Sequence, residues 1–162
     1  MGVMNGEVEL NVPASKAWEI FKTNELLKKV NPNFLANAEY VEGDGRPGSI
    51  RLLKLGPGVN TYVSESKQRI EEVKEGPGSG VLQMKYKVLE GELKKMYDPY
   101  TVTFSFRGDG NKNKCIAGWR AEYQLLSPNV AAPEKAKDVA LRFMKAIEDF
   151  YLSSNFISTN CN

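Results

Sequence analysis

Leu82-Gln83-Met84-Lys85-Tyr86-Lys87-Val88 is the stretch on which the fold turns. Leu82, Met84, Tyr86 and Val88 fall on one side of an extended chain and Gln83, Lys85 and Lys87 on the other, because successive strand side chains point to opposite faces. The inward set is large, aromatic and sulfur-bearing, which suits a ligand cavity as well as a packed core. The same period spreads in both directions. Val8, Leu10 and Val12 oppose Glu7, Glu9 and Asn11 in a strand over 3–12. Strands are predicted over 38–41, 49–55, 62–73 and 81–89. Behind Pro99, tolerated where a strand begins, Tyr100, Val102, Phe104 and Phe106 alternate with Thr101, Thr103 and Ser105. Cys115, Ala117, Trp119, Ala121 and Tyr123 then oppose Lys114, Ile116, Gly118, Arg120 and Glu122. Gly108-Asp109-Gly110-Asn111 marks the hairpin turn between these last two strands.

Helical signals sit at the two ends. Pro13 opens a short helix over 14–22, with Trp18 and Phe21 on its inner face. A second runs over 24–30 and stops before Asn31-Pro32, since the residue before proline resists helical angles. After Pro128 and Pro133, Ala136, Val139, Ala140, Phe143, Met144, Ile147 and Tyr151 recur at helical spacing. Lys135, Lys137, Asp138, Arg142, Lys145, Glu148 and Asp149 take the other faces. This helix, over 133–152, is about 30 Å long. The polar tail 153–162 is expected to fray, and 1–162 reads as a single α+β domain. Short connections between strands imply an antiparallel sheet, and about seven such strands must curve strongly. One helix cannot fill that concavity, so a hollow is expected.

Composition narrows the function. The 162 residues carry 22 basic and 20 acidic side chains, a net charge of +2. That balance lacks the basic excess of a nucleic-acid binder or a polybasic membrane anchor. No histidine is present, which removes Ser–His and Cys–His catalysis. Only two cysteines occur, Cys115 in a strand pattern and Cys161 in the tail, so neither a disulfide framework nor a zinc site is expected. No metal or cofactor is expected, and a reducing, cytoplasmic setting is the simpler reading. Residues 1–11 lack a signal-peptide core. Gly6 stands where a myristoylation motif needs Ser or Thr. No run approaches the ~18 apolar residues of a membrane span.

Gly43-Asp44-Gly45-Arg46-Pro47-Gly48 spells a G-x-G-x-x-G pattern. A dinucleotide site needs a helix after the last glycine. Ser49-Ile50-Arg51-Leu52-Leu53-Lys54-Leu55 follows instead and reads as a strand. The stretch is therefore expected to be a strand-to-strand turn that uses positive φ.

Several segments carry a family resemblance. They are Glu42-Gly43-Asp44-Gly45-Arg46-Pro47-Gly48-Ser49-Ile50, Arg69-Ile70-Glu71-Glu72-Val73, Val88-Leu89-Glu90-Gly91 and Ala146-Ile147-Glu148-Asp149-Phe150-Tyr151-Leu152. Over about Val3 to Leu152 the chain resembles the Bet v 1 family, the class 10 pathogenesis-related proteins of plants. Arg46 departs from the pattern, where the family usually has glycine. The resemblance implies a START-like helix-grip fold, a seven-stranded antiparallel sheet around the C-terminal helix with two short helices after the first strand. It implies a large cavity for apolar or amphipathic molecules such as cytokinins and flavonoids, a role in plant defence, and a monomer without nucleic-acid or membrane partners. Some relatives are alkaloid-pathway enzymes, norcoclaurine synthase among them. Their acid–base positions fall here on Ser66, Gln68 and Met84 and near Thr103, and none of the residues is retained. The acidic positions proposed for ribonuclease activity fall near Asp98 and on Glu148, while its tyrosine position is Phe150.

With the concave face inward, the expected ligand contacts are Tyr62, Met84, Tyr86, Tyr100, Val102, Phe104 and Trp119 from the sheet. The helix adds Val139, Ala140, Phe143, Met144 and Ile147, and Phe21 with Leu26 closes the far end. Plain core packing competes with each assignment, most evenly for Trp119, Phe104 and Ile147. Ser66 and Gln68 share the parity of Ile70 and should face inward. Burying such groups without partners is costly, and Gln68 offers donors and an acceptor to a ligand. Arg51 shares the parity of Leu53 and Leu55. Two readings stand for it, a guanidinium reaching the cavity mouth or a solvated edge. Binding of a small amphipathic ligand is the first functional reading. An enzyme of specialised metabolism in the same cavity is the alternative, and ribonuclease action comes last.

Overall fold

Period-two patterning on both sides of the 82–88 stretch builds a single seven-stranded sheet in the order β1-β7-β6-β5-β4-β3-β2, antiparallel at every pairing. The computed structural model describes residues 1–76 and 80–153. The elements are β1 Gly2–Leu10, α1 Ala14–Lys22, α2 Asn24–Val30, β2 Leu35–Glu42, β3 Ile50–Leu55, β4 Glu65–Lys74 and β5 Val81–Gly91, then α3 Glu92–Met96, β6 Tyr97–Gly108, β7 Cys115–Leu125 and α4 Glu134–Ser153. This is the helix-grip architecture expected from the sequence. Pro77, Gly78 and Ser79 of the expected β4–β5 turn lie outside the described residues, as does 154–162, which holds Cys161 and nearly all of the tail expected to fray.

Several boundaries differ from the sequence reading, each for a local reason. β4 begins at Glu65 rather than Tyr62, because residues 59–63 coil into a helical turn with Tyr62 and Val63 amides donating to the Val59 carbonyl. α3 was absent from the reading. Its start is held from outside, by Glu92 accepting from the Ser64 hydroxyl and the Glu65 amide. Gly91 precedes it at φ 119°, and a Cβ there would lie 2.3 Å from the Glu65 carbonyl oxygen. Only glycine fits that approach. β6 starts at Tyr97, so Pro99 lies inside the strand rather than at its head. It is accommodated because the ladder to β7 shifts register between Tyr97 and Tyr100, where no amide is required.

The core follows the predicted parity. Leu10, Ile70, Met84, Val88, Phe106, Cys115, Ala117 and Ala121 are buried, and Val12 beyond β1 joins them. Phe21 of α1 packs on Phe104 with centroids 4.8 Å apart, and Trp18 stands edge-on to Phe106 at 6.3 Å. Met144 and Ile147 of α4 complete this cluster.

Glu148 is a correction. The helical period sets it off the inner stripe of the last helix, yet it is buried. Its Oε1 accepts the Asn11 amide just beyond β1, and its Oε2 lies 3.1 Å from Lys145 Nζ. Lys145 in turn donates to the Glu9 carbonyl at 3.3 Å. Two side chains one turn apart thus pin α4 to the end of β1. Burial alone raises the Glu148 pKa, but the Asn11 amide and the Lys145 charge outweigh it, and the net value lies below the ordinary one. A carboxyl depressed by folding stabilises the fold above its ordinary pKa of 4.5 and loses that contribution as pH falls through the depressed value. Glu148→Gln should therefore lower stability at pH 7 by roughly 1–3 kcal/mol. It should also flatten the loss of urea resistance between neutral pH and acid. Parallel acid limbs in the two proteins would remove Glu148 from this role.

Candidate functional site

α4 packs on β1 and β7 and touches α1 and α2, and its backbone does not approach β3, β4 or β5 closely. At Gly6 of β1 the helix is so near that an added Cβ would lie 3.0 Å from Lys137 and 3.1 Å from Leu141. A helix drawn onto one end of a curved sheet stands off from the other. The space between is a cavity of about 130 Å³.

Its walls are built by alternation. β3 supplies Arg51, Leu53 and Leu55, β4 Ser66 and Gln68, and β5 Tyr86 and Val88. β6 supplies Tyr100, Val102 and Phe104, and β7 supplies Trp119. One stripe of α4, Ala136, Val139, Ala140 and Phe143, faces them. Phe21 of α1 and Leu27 of α2 close the far end, and Phe34, Leu35, Val59, Tyr62, Val63 and Leu93 complete the lining.

Four expected contacts stand elsewhere. Met84 is buried behind Arg51, its sulfur 3.9 Å from Nη2. Met144 and Ile147 are fully buried in the half of α4 that is tied to β1. Leu27, not Leu26, is the α2 residue that faces inward. The sequence held a signal for Leu53, Leu55, Val88 and Ala136, which share the parity or phase of residues already named. Phe34, Val59 and Val63 come from loops, where no period marks them. The cavity is also smaller than the large one expected, and near the size that accepts a benzene ring. Aromatic side chains take up the difference. Phe21 and Phe104 are in contact, and Tyr86 stacks near Phe104 with centroids 6.2 Å apart.

The polar groups in this wall are few and poorly matched. Arg51 is only 1% exposed, so it lies neither at the mouth nor on a solvated edge. Its Nη1 donates to Asn24 Oδ1 and its Nη2 to Gln68 Oε1, each at 3.4 Å, and Phe21 lies beneath the guanidinium with its centroid 5.8 Å from Cζ. Every one of these neighbours is neutral. Among the described residues Nε has no partner, and neither has the buried Tyr100 hydroxyl. Burial pulls the Arg51 pKa below its ordinary value, partly offset by the Tyr40 and Tyr86 phenols. A guanidinium still keeps its charge. Burial pushes the Tyr62 and Tyr86 phenols up to about 12 and Tyr100 higher still. All three stay protonated at neutral pH, so each keeps an O–H able to donate.

The glycine-rich loop connects β2 to β3. Gly43, Gly45 and Gly48 adopt φ of 78°, 110° and 96°, as the turn reading requires. The Asp44 and Gly45 amides donate inward to Ser49 Oγ at 3.2 and 3.0 Å, so they are not free to cradle a phosphate. Arg46 pairs with Asp44 at 3.1 Å on the surface. The loop thus stands apart from the cavity wall. A shallower groove beside the cavity is lined by Gly58, Thr61, Glu134, Lys135 and Asp138 and shares Val59, Tyr62 and Val139 with it. Among the described residues no cluster of His, Cys, Asp or Glu is placed to hold a metal. None of their helices is long and apolar enough to cross a membrane.

An uncompensated buried charge weakens a fold, and replacing it with an apolar side chain of similar length is often neutral or stabilising by about 1–4 kcal/mol. Arg51→Met should therefore leave the urea midpoint unchanged or raise it. A clear fall would mean that the neutral contacts of Arg51 already balance its burial.

The model of the "Pathogenesis-related protein Bet v 1 family" matches residues 1–154. MLP-like protein 423 of Arabidopsis thaliana is 32% identical over 155 residues, covering 93% of this chain and 94% of that protein. The crystal structure of ginseng major latex-like protein 151 from Panax ginseng superposes with a TM-score of 0.78 at 19% identity, covering 91% of this chain and 95% of that one. Norcoclaurine synthase from Thalictrum flavum, in complex with dopamine and hydroxybenzaldehyde, gives a TM-score of 0.65 at 21% identity over 93% of this chain and 86% of that one. The last two likenesses speak for the fold. With the matched family model spanning the sheet, the glycine-rich turn and the helix alike, this chain belongs to the Bet v 1 family.

Proposed function

We propose that this protein is an intracellular, monomeric binding protein that holds a small apolar or amphipathic molecule, of the size class of cytokinins or flavonoids, between its sheet and α4. The observation that carries this reading is the make-up of the cavity wall. It is aromatic and aliphatic, interrupted by Ser66, Gln68, Arg51 and tyrosine hydroxyls. A few polar groups in an apolar surround fix the orientation of a small molecule. Among the described residues, no carboxylate and no lysine belongs to this wall. Acid–base chemistry needs a group that can exchange protons near neutral pH, and the wall's phenols are held far above it. That tells against the enzyme alternative. Glu148, the acid of the ribonuclease reading, is engaged by Asn11 and Lys145 and lies off the cavity.

A bicyclic guest needs more room than about 130 Å³, so binding must part some side chains. Val59, Tyr62 and Val139 line both the cavity and the neighbouring groove, and the first two sit on a loop, which makes that side the cheapest to open.

The neutral fluorophore N-phenyl-1-naphthylamine should be taken up with a Kd of about 1 μM, or roughly −8 kcal/mol. A cytokinin base and a flavonol should each displace it. No uptake would remove the cavity reading. Gln68→Leu should weaken the flavonol about fivefold more than the fluorophore, in keeping with about 1 kcal/mol for one hydrogen bond. Equal losses would deprive Gln68 of an anchoring role.

A further inference from the structure

We propose that Arg51 anchors one carboxylate, and that the guest this cavity selects is a monoanionic organic acid with an apolar body. The assignment rests on the reading of the cavity as a ligand site and names the chemistry of its occupant. Arg51 stands near the start of β3 with Tyr40 and Gln68 as its ladder neighbours. It is the largest of the fully buried side chains. A guanidinium carries five N–H donors in a fixed fork and is the side chain best shaped to grip both oxygens of a carboxylate. Buried arginines are normally paired with an acid for that reason. Among the described residues none pairs with this one.

Its contacts are also weak. The 3.4 Å separations to Asn24 and Gln68 exceed the usual 2.7–3.2 Å of N–H···O bonds. The third contact is to a thioether at 3.9 Å. Two neutral amide oxygens, a sulfur and the neutral Tyr40 phenol orient the fork without neutralising it. The Tyr100 hydroxyl, buried in the same wall and unpartnered by the protein, is a second donor of the kind an acid accepts from.

The charge count sets the valence. Arg51 is the one formal charge among the described lining side chains. A carboxylate balances it one for one. A phosphate monoester brings roughly −1.5 to −2 at pH 7 and would leave a surplus negative charge against an apolar wall. The remaining lining, Phe21, Val102, Phe104 and Phe143 among it, suits a ring or a branched hydrocarbon.

The test compares 2-naphthoic acid, 2-naphthamide and 2-naphthyl phosphate by isothermal titration calorimetry at pH 7. The unaltered protein should bind the acid at least tenfold more tightly than the amide, and the phosphate more weakly than the acid. Arg51→Met should bring the acid-to-amide ratio close to one, and Arg51→Lys should restore part of the preference. Equal binding of acid and amide by the unaltered protein overturns the assignment while leaving the ligand cavity in place. So does a preference that survives in Arg51→Met, and tighter binding of the phosphate replaces carboxylate with another anion. Uptake of none of the three removes the cavity and the assignment together. The comparison of the three compounds on the unaltered protein decides the matter even if neither variant folds.

Discussion

A straight helix of 20 residues, about 30 Å long, cannot lie against the whole concave face of a twisted seven-stranded sheet. Everything particular to this protein follows from which part of the face α4 chooses. It takes β1 and β7, drawn there by small residues and by charge. Gly6 lets the helix come close, and the Glu148–Lys145 pair binds its far half to the backbone at Glu9 and Asn11. The inner faces of β3, β4 and β5 are left to α1, α2 and the connecting loops. These elements meet around the remaining space without filling it.

Residues on that uncovered face answer to two demands. They must be apolar enough to drive folding, because burial of apolar surface is the main favourable term. Yet the strands β3 and β4 place Arg51, Ser66 and Gln68 there, all buried. Gln68 links the other two, accepting from Arg51 and lying 3.5 Å from Ser66 Oγ. The result is a short polar seam across an otherwise aromatic wall. It satisfies its own members incompletely, and the shortfall is concentrated at the guanidinium.

The sequence declared most of this framework and part of the site. Alternation over β5, β6 and β7 and the helical period of α4 mark the inner face, and Val102, Phe104, Trp119, Val139 and Phe143 reach the cavity as that face requires. Periodicity assigns a side chain to a face but gives no position along it. Met84 has the parity of Tyr86, yet it lies behind Arg51. Met144 and Ile147 have the phase of Phe143 and Ala140, yet they are fully buried in the half of α4 that carries Lys145 and Glu148. Tyr62 was assigned to a strand and reaches the cavity from a loop, because a strand's parity cannot reveal that the strand starts three residues later. Arg51 was misjudged for a different reason. A charged residue in a strand is normally solvated, and only the tertiary packing of α1, α2 and β4 around it shows otherwise.

The energetics of the wall join structure to function. Space that a protein's own side chains leave unfilled lowers stability by roughly 24 cal/mol per Å³. For a cavity of about 130 Å³ that is on the order of 3 kcal/mol. A buried guanidinium facing only neutral groups adds a further unfavourable term of several kcal/mol. In a protein whose total stability is of order 5–15 kcal/mol, neither is negligible. Filling the cavity with native-like side chains would relieve the first term, and exchanging Arg51 for an apolar residue would relieve the second. The fold does neither. Both terms are, however, relieved together by one kind of molecule, an apolar body that occupies the volume and a negative group that meets the cation. On the proposed reading, the features that weaken the protein by itself are the same ones that define the shape and charge of its guest.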